Sequence, residues 1–339
     1  MHNSATMLDA AREAVVLASN VCRHVQAQLE TVRSITKDDK SPVTVADFAS
    51  QAIVAWTLRE RLGDIVLVAE EASAFLREPA HKPHLDAVLS AVGEVWGDAS
   101  EADVLDAIDI GSADPGDAFW TLDPIDGTKG FLRNQQYAVA LGYVEGGTPT
   151  LGVLGCPNLP GEMSDPLDEP DGNGCLYFCI KGQGVYEAPS DDAGADPTRI
   201  TRLDHASGED ICITGSVEKA HSNTSDEGRI LAWLEQKGET IGDAVRLDSQ
   251  CKYAVVARGQ ADAYLRMPTK PGYVERIWDH AAGALVATEA GATVSDIFGN
   301  SLDFSHGRGL EKNKGVVCAP PRLHAQIIAA IEELEIKPA

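Results

Sequence analysis

The chain has 339 residues, 44% of them hydrophobic and 24% charged, the balance of a soluble globular protein rather than of a low-complexity or fibrous one. That length suffices for a sizeable core and predicts two domains. With 28 basic against 52 acidic residues the formal charge is −24, so the surface as a whole repels nucleic acid and anionic membranes, and an anionic substrate needs local cations to receive it.

The opening stretch MHNSATMLDAAREAVVLAS has neither a basic n-region nor a long apolar h-region, and no later apolar run approaches membrane-spanning length. A cytoplasmic monomer without nucleic-acid or membrane partners is expected. Leu8, Ala11, Val15, Ala18, Cys22, Val25 and Leu29 recur at helical spacing, and a second helix is predicted over 46–62 after the loop TKDDKSPV. DIVLVAEEAS reads as a short buried strand ending in two acids, followed by a polar helical stretch over 82–108. From Phe119 the period changes. FWTLDPIDG, YAVALGYVEGG, PTLGVLGCPN, GCLYFCIKGQG and GVYEAP are short β-rich runs between Gly and Asn turns, which predicts antiparallel strands. Residues 159–174 form a long acidic loop. PSDDAGADPTR reads as a linker, dividing an α+β domain over 1–198 from a domain over 199–339. In the latter, short strands alternate with helical runs near 226–236, 251–258, 280–289 and 322–334, an α/β pattern. The seven cysteines are scattered without a CxxC pair and are expected to be reduced and structural.

Within WTLDPIDGTKGF, Asp123 and Asp126 flank Pro124 and Ile125 and are followed by Gly127 and Thr128. In isolation the motif also reads as a turn. Its position directly after a strand, with backbone N–H groups exposed at Gly-Thr, favours a divalent cation beside a phosphate. Glu70 and Glu71 close the strand IVLVAEE, where one is expected to face in and one out, although a strand end meeting solvent is an equal reading. Asp47 in Thr44-Val45-Ala46-Asp47 fits a capping box, and Asp279 fits an acid at a helix N-terminus.

The segments SPVTVAD, VAEEAS, WTLDPIDGTKGF and WDHAAGALVATEAG, in this order, resemble the lithium-sensitive, magnesium-dependent phosphatases of the inositol monophosphatase superfamily. TKDDKSPVT, GVLGCPN, SVEKAHSN and LDSQCKYAVVARGQADAYLRMP are similar to its 3′(2′),5′-bisphosphate nucleotidase branch. The resemblance implies a layered αβαβα sandwich, the fold shared with sugar phosphatases. It also implies two or three Mg2+ ions on Glu70, Asp123, Asp126, Asp279 and the Ile125 carbonyl. Asp47 and Thr128 would activate the attacking water, and the Gly127-Thr128 backbone would hold the scissile phosphate. His221, Ser222, Ser249, Lys252 and Arg266 match positions that contact the nucleotide and its other phosphate; on their own, Lys252 and Arg266 read as solvated charges and His221 as a loop histidine. The reaction implied is removal of the 3′-phosphate of 3′-phosphoadenosine 5′-phosphate to give AMP. The 5′-phosphosulfate analogue is a further candidate substrate, Li+ an expected inhibitor with Na+ as another candidate, and sulfate assimilation and salt tolerance the expected roles. An inositol phosphate phosphatase, or a non-catalytic nucleotide- and cation-binding protein, are the alternatives. Two departures from the family pattern are the long loop over 159–174, and Ala46 and Ala69 where glycine is common.

Overall fold

The computed structural model describes residues 2–28, 45–201, 208–217 and 223–337. Helix α1 (Ser4–Ala27) begins at Asn3, whose side chain accepts from the Thr6 N–H at 2.9 Å and so satisfies one of the donors that every helix start leaves open. Its buried stripe is rich in alanine, which lets it lie close against α2 (Val45–Leu62), a helix buried over most of its surface. The strand predicted from DIVLVAEEAS is only β1 (Leu67–Ala69). The stretch expected to be one helix over 82–108 is two, α3 (Lys82–Gly93) and α4 (Glu101–Ile110). Ser100 opens the second with a capping box to Asp103, so local capping outweighs continuity there.

Strands β2 (Ala118–Asp126), β3 (Ala138–Glu145), β4 (Thr148–Cys156), β5 (Cys175–Ile180), β6 (Val185–Pro189) and β7 (Thr198–Ile200) follow in an antiparallel meander, with β1 parallel to β2 at its edge. A short helix, α5 (Thr128–Leu132), interrupts the run between β2 and β3. The linker expected before residue 199 runs along α1, where Arg12 donates to the Ala193 carbonyl at 2.9 Å, and β7 pairs with β6 in the first sheet.

The second half comprises β8 (Asp210–Ile211), β9 (Ile213–Gly215), α6 (Thr224–Gln236), β10 (Thr240–Ile241), β11 (Val245–Arg246), α7 (Cys251–Ala257), β12 (Ala263–Arg266), α8 (Ala281–Ala290), β13 (Thr293–Ser295), β14 (Val316–Ala319) and α9 (Pro321–Glu333). Five of these strands form a sheet in the order β11-β9-β12-β14-β13; β11, β9 and β12 are parallel, and β14 is antiparallel to both its neighbours. The helical runs expected here all form, within a residue or two of their predicted ends.

The elements stack in five layers. Helices α1 and α2 cover one face of the first sheet, α7 and α8 lie between the sheets, and α6 and α9 cover the far side of the second. Close approach in the middle layer depends on missing side chains. A Cβ on Gly142 or Gly152 would lie 3.1 Å from Ala281 or Ala282 of α8, and one on Gly283 would press into the Tyr253 ring of α7. Gly283→Ala is expected to lower stability by about 1–3 kcal/mol through overpacking. Urea denaturation checks this: the midpoint should fall at unchanged slope, and an unmoved midpoint would contradict the tight α7–α8 contact.

Candidate active site

The acids singled out in the sequence arrive from several parts of the fold, two of them on one strand. Asp123 and Asp126 are three residues apart on β2, a spacing that points side chains to opposite faces in a regular strand. The pairing with β3 shifts between them. Asp123 is opposite Ala140 and Asp126 opposite Ala138, so three steps on β2 match two on β3. This bulge sits at Pro124, which has no N–H to give to a ladder, and it turns both carboxylates into one cleft. The Ile125 N–H donates to Asp123 Oδ1 at 3.1 Å, and from α2 the Ser50 hydroxyl donates to the Pro124 carbonyl at 2.8 Å. The Thr128 hydroxyl donates to the Ile125 carbonyl at 3.2 Å. Gly127 makes the turn into α5 at φ 86°, and a Cβ there would lie 2.9 Å from that of Ser249. Only glycine suits both the conformation and the contact.

Although β1 ends at Ala69, Glu70 lines the cleft and Glu71 is not part of that lining, in keeping with one acid facing in and one out. Glu70 hydrogen-bonds Asp123 and feels Asp126, whereas Glu71 lies under the influence of Asp47 and Glu70. Asp279 directly precedes His280, the residue at the N-cap of α8. Asp47 occupies the first turn of α2, is 2% exposed and adds to the negative potential at Asp123. Thr44, its expected capping partner, lies outside the described residues, as do His221 and Ser222.

Burial holds Asp123 well above the usual carboxylate range, and Glu70, Asp126, Asp279 and Asp47 push it further the same way. Burial also raises Asp279, with Arg266 opposing. Glu70 is raised by burial and by Asp126, and Glu71 is pushed up to about 8 by burial, Asp47 and Glu70. Carboxylates this crowded retain protons unless a cation replaces them. An all-oxygen set that includes a main-chain carbonyl fits a hard divalent ion such as Mg2+, which takes carboxylates together with substrate oxygens.

The cleft holds about 280 Å³. Glu70, Asp123, Ile125, Asp126, Gly127, Thr128, Ser249, Lys252, Arg266 and Asp279 all line it, whereas Asp47 is not among the lining residues. Lys252 and Arg266 are withdrawn from solvent and fixed, not solvated surface charges. The Lys252 ammonium, lowered by burial, donates to the Ser249 carbonyl at 2.6 Å and the Leu247 carbonyl at 3.3 Å. Arg266 grips Glu275 with Nε at 3.0 Å and a terminal nitrogen at 2.6 Å. Glu275 can only accept, so it fixes the proton of His280 on Nε2 and leaves Nδ1 for the Tyr253 hydroxyl at 2.8 Å. Glu275, Asp279 and His280 have ligand atoms within 4.8 Å of one another, yet the Arg266 fork identifies Glu275 as part of an ion-pair network.

The residue list taken from the sequence passes over Lys129, Ser216, Asp248, Gln250 and Tyr273, which also line the cleft. Asp248 is buried and ion-paired to Arg133. The segment LDSQCKY signals this turn, but nothing in its spacing says which side chain bridges to what.

Solved structures with the same fold cover nearly the whole chain at low identity. An IMPase from Thermotoga maritima aligns with a TM-score of 0.64 at 19% identity over 97% of both chains. CysQ from Bacteroides thetaiotaomicron, a bacterial member of the inositol monophosphatase family, aligns with 0.59 at 21% identity over 91% of this chain and 96% of its own. The model of the inositol monophosphatase family matches residues 3–335, and the chain belongs to that family. Among curated relatives, a 3′(2′),5′-bisphosphate nucleotidase of Emericella nidulans is 41% identical over 89% of this chain and 90% of its own. One of Schizosaccharomyces pombe is 38% identical over 95% and 92%, and a 3′,5′-bisphosphate nucleotidase 2 of Arabidopsis thaliana is 37% identical over 96% of each. The family is generally Mg2+-dependent. Among the described residues no helix is long and apolar enough to cross a membrane.

The Arg266 fork holds Glu275 down at about 2 against the cost of its burial. A depressed carboxylate adds stability that is complete above its unfolded value near 4.5 and is lost as pH falls toward 2, on the order of 3 kcal/mol in all. Glu275→Gln should therefore be less stable than wild type at neutral pH, with the difference shrinking between about pH 4.5 and 2. Denaturant titrations at stepped pH check this, and a pH-independent difference would contradict the ion pair.

Proposed function

We propose that this chain is a metal-dependent phosphomonoesterase that hydrolyses the 3′-phosphate of 3′-phosphoadenosine 5′-phosphate to AMP and inorganic phosphate, with the 5′-phosphosulfate analogue as a further substrate. Two supports combine. Glu70, Asp123, Asp126 and Asp279, carried on three segments of the chain, converge on one cleft with the Ile125 carbonyl and the Gly127-Thr128 turn. The curated relatives at 37–41% identity bear the name bisphosphate nucleotidase. A cytoplasmic monomer remains our reading of its state.

In this reading the four carboxylates and the Ile125 carbonyl hold two or three Mg2+ ions, which when bound supply positive charge to polarise the phosphoryl group and lower the pKa of water. Thr128, whose hydroxyl hydrogen points to the Ile125 carbonyl, keeps lone pairs to orient the attacking water. Asp47 takes the proton. The backbone N–H groups that follow Gly127 hold the phosphate in line. The new P–O bond from water forms as the bond to O3′ breaks, and the 3′-oxygen picks up a proton as AMP departs. Lys252, Ser249 and Arg266, with His221 and Ser222, receive the rest of the nucleotide.

Phosphate release from 3′-phosphoadenosine 5′-phosphate is expected with Mg2+, and should be lost with EDTA or in Asp126→Ala. No release, alongside turnover of an inositol phosphate, would keep the metal site and overturn the nucleotide assignment. Asp47→Asn is expected to lower kcat by about 10²–10⁴ with KM little changed, the range for losing a general base; steady-state kinetics checks this. Millimolar Li+ should inhibit, and activity that stays flat as Li+ is raised would count against the cation site.

A further inference from the structure

We infer that Gln250 is a positioning residue that sets the spacing between the two halves of the metal site, an inference that rests on the ligand set proposed above. Asp126 and Asp279 come from different layers, β2 in the first sheet and the segment before α8 in the middle layer, and no covalent constraint fixes their separation. Gln250 touches both. Its backbone N–H donates to Asp126 Oδ2 at 2.7 Å. Its side-chain amide donates to the Trp278 carbonyl at 2.9 Å, the carbonyl of the peptide that joins Trp278 to Asp279. Its side-chain oxygen accepts from the Gly283 N–H at 2.9 Å.

That last contact has a further role. Gly283 is in the first turn of α8, where N–H groups lack intrahelical partners, and α8 has no cap from its own flanking residue, His280. Gln250 supplies the cap from another helix. It is 2% exposed, and both of its side-chain bonds are buried.

The backbone around it is shaped for this task. Ser249 has φ 67°, a left-handed conformation that a non-glycine residue adopts at a cost. Three contacts hold it there: the Cys251 N–H donates to the Ser249 hydroxyl at 3.2 Å, Lys252 donates to the Ser249 carbonyl at 2.6 Å, and neighbouring Asp248 is ion-paired to Arg133. The kink aims the Gln250 N–H at Asp126 while its side chain runs the other way to α8. One residue therefore grips a ligand by its main chain and the approach to a second ligand by its side chain.

Gln250→Met keeps the length and the backbone N–H but removes both side-chain bonds. Partners of this kind change metal affinity by about 10–100-fold when lost. Mg2+ calorimetry on metal-free, substrate-free protein is the test, with Mn2+ electron paramagnetic resonance as an independent reading. The Mg2+ dissociation constant should rise at least about 10-fold, and excess Mg2+ should recover part of the lost kcat. A dissociation constant within about twofold of wild type, well below that range, together with a lower melting temperature, would show a merely structural role and overturn the inference. Should Gln250→Met fail to fold, Gln250→Glu keeps an acceptor for Gly283 while losing the donor to Trp278, and the same weakening is expected. Asp126→Ala separates the two levels. If it abolishes Mg2+ binding while the Gln250 variants do not weaken it, only the positioning role fails; if Asp126→Ala also binds normally, the ligand set falls and the inference with it.

Discussion

Asp123 is 3% exposed and lies under the negative potential of Glu70, Asp126, Asp279 and Asp47. Two unit charges about 4 Å apart repel by about 4 kcal/mol at an effective dielectric constant near 20. A domain's whole stability is only about 5–15 kcal/mol, so several such pairs cannot all stay ionised without counter-charge. The cluster therefore has two balanced states, protonated or loaded with cation, and the surrounding fold has to hold the same geometry in both. That requirement explains why the acids sit on a bulged strand paired on both sides, at a strand end and before a buried helix rather than on one mobile loop. Each backbone segment is held by neighbours that do not depend on the cation: Pro124 by Ser50 of α2, and Trp278 by Gln250.

The middle layer meets this requirement at close quarters. Helices α7 and α8 each carry one side of the cleft at their N-terminal ends and are pressed between two sheets. The glycines at 142, 152 and 283 let α8 come close enough that its start, and with it Asp279, faces β2. Small residues there serve the site as much as the core. A bulkier α8 would satisfy the hydrophobic pattern equally well and move Asp279 away from Asp126.

Much of this was legible beforehand, for identifiable reasons. The helices over 224–236 and 321–333 have strong apolar periodicity and a cap or a proline at their starts, signals carried within a few residues. The acids in DPIDGT stood out because two carboxylates close together, directly after a strand and before an exposed Gly-Thr backbone, call for a cation. Less was legible where the deciding partner is distant in sequence. Alternation at Glu70 and Glu71 says that one faces in without saying which, and the cleft takes Glu70. Arg266 read as a plain cation, since its partner Glu275 follows nine positions later across a Pro-Gly turn. Gln250 gave no signal at all, because a glutamine's role depends on what its two ends reach, and those ends meet residues 28 and 33 positions away.

The fixed cations also bear on how an acidic protein admits an anionic substrate. The chain carries a formal charge of −24, yet the cleft's buried cations are already engaged: Lys252 with two carbonyls and Arg266 with Glu275. Neither behaves as an exposed attractor. In the proposed reading, net positive potential at the cleft comes mainly from the divalent ions, and the side-chain cations act as preorganised donors with fixed direction. Such donors need little reorganisation when charge shifts in the transition state, and they work best where water is excluded. Entry of a nucleotide bisphosphate and loading of the metal site then become coupled events, since each neutralises charge that the other would have to face alone. The bridge from Asp126 through Gln250 to α8 is the structural means by which such coupling reaches both halves of the cleft.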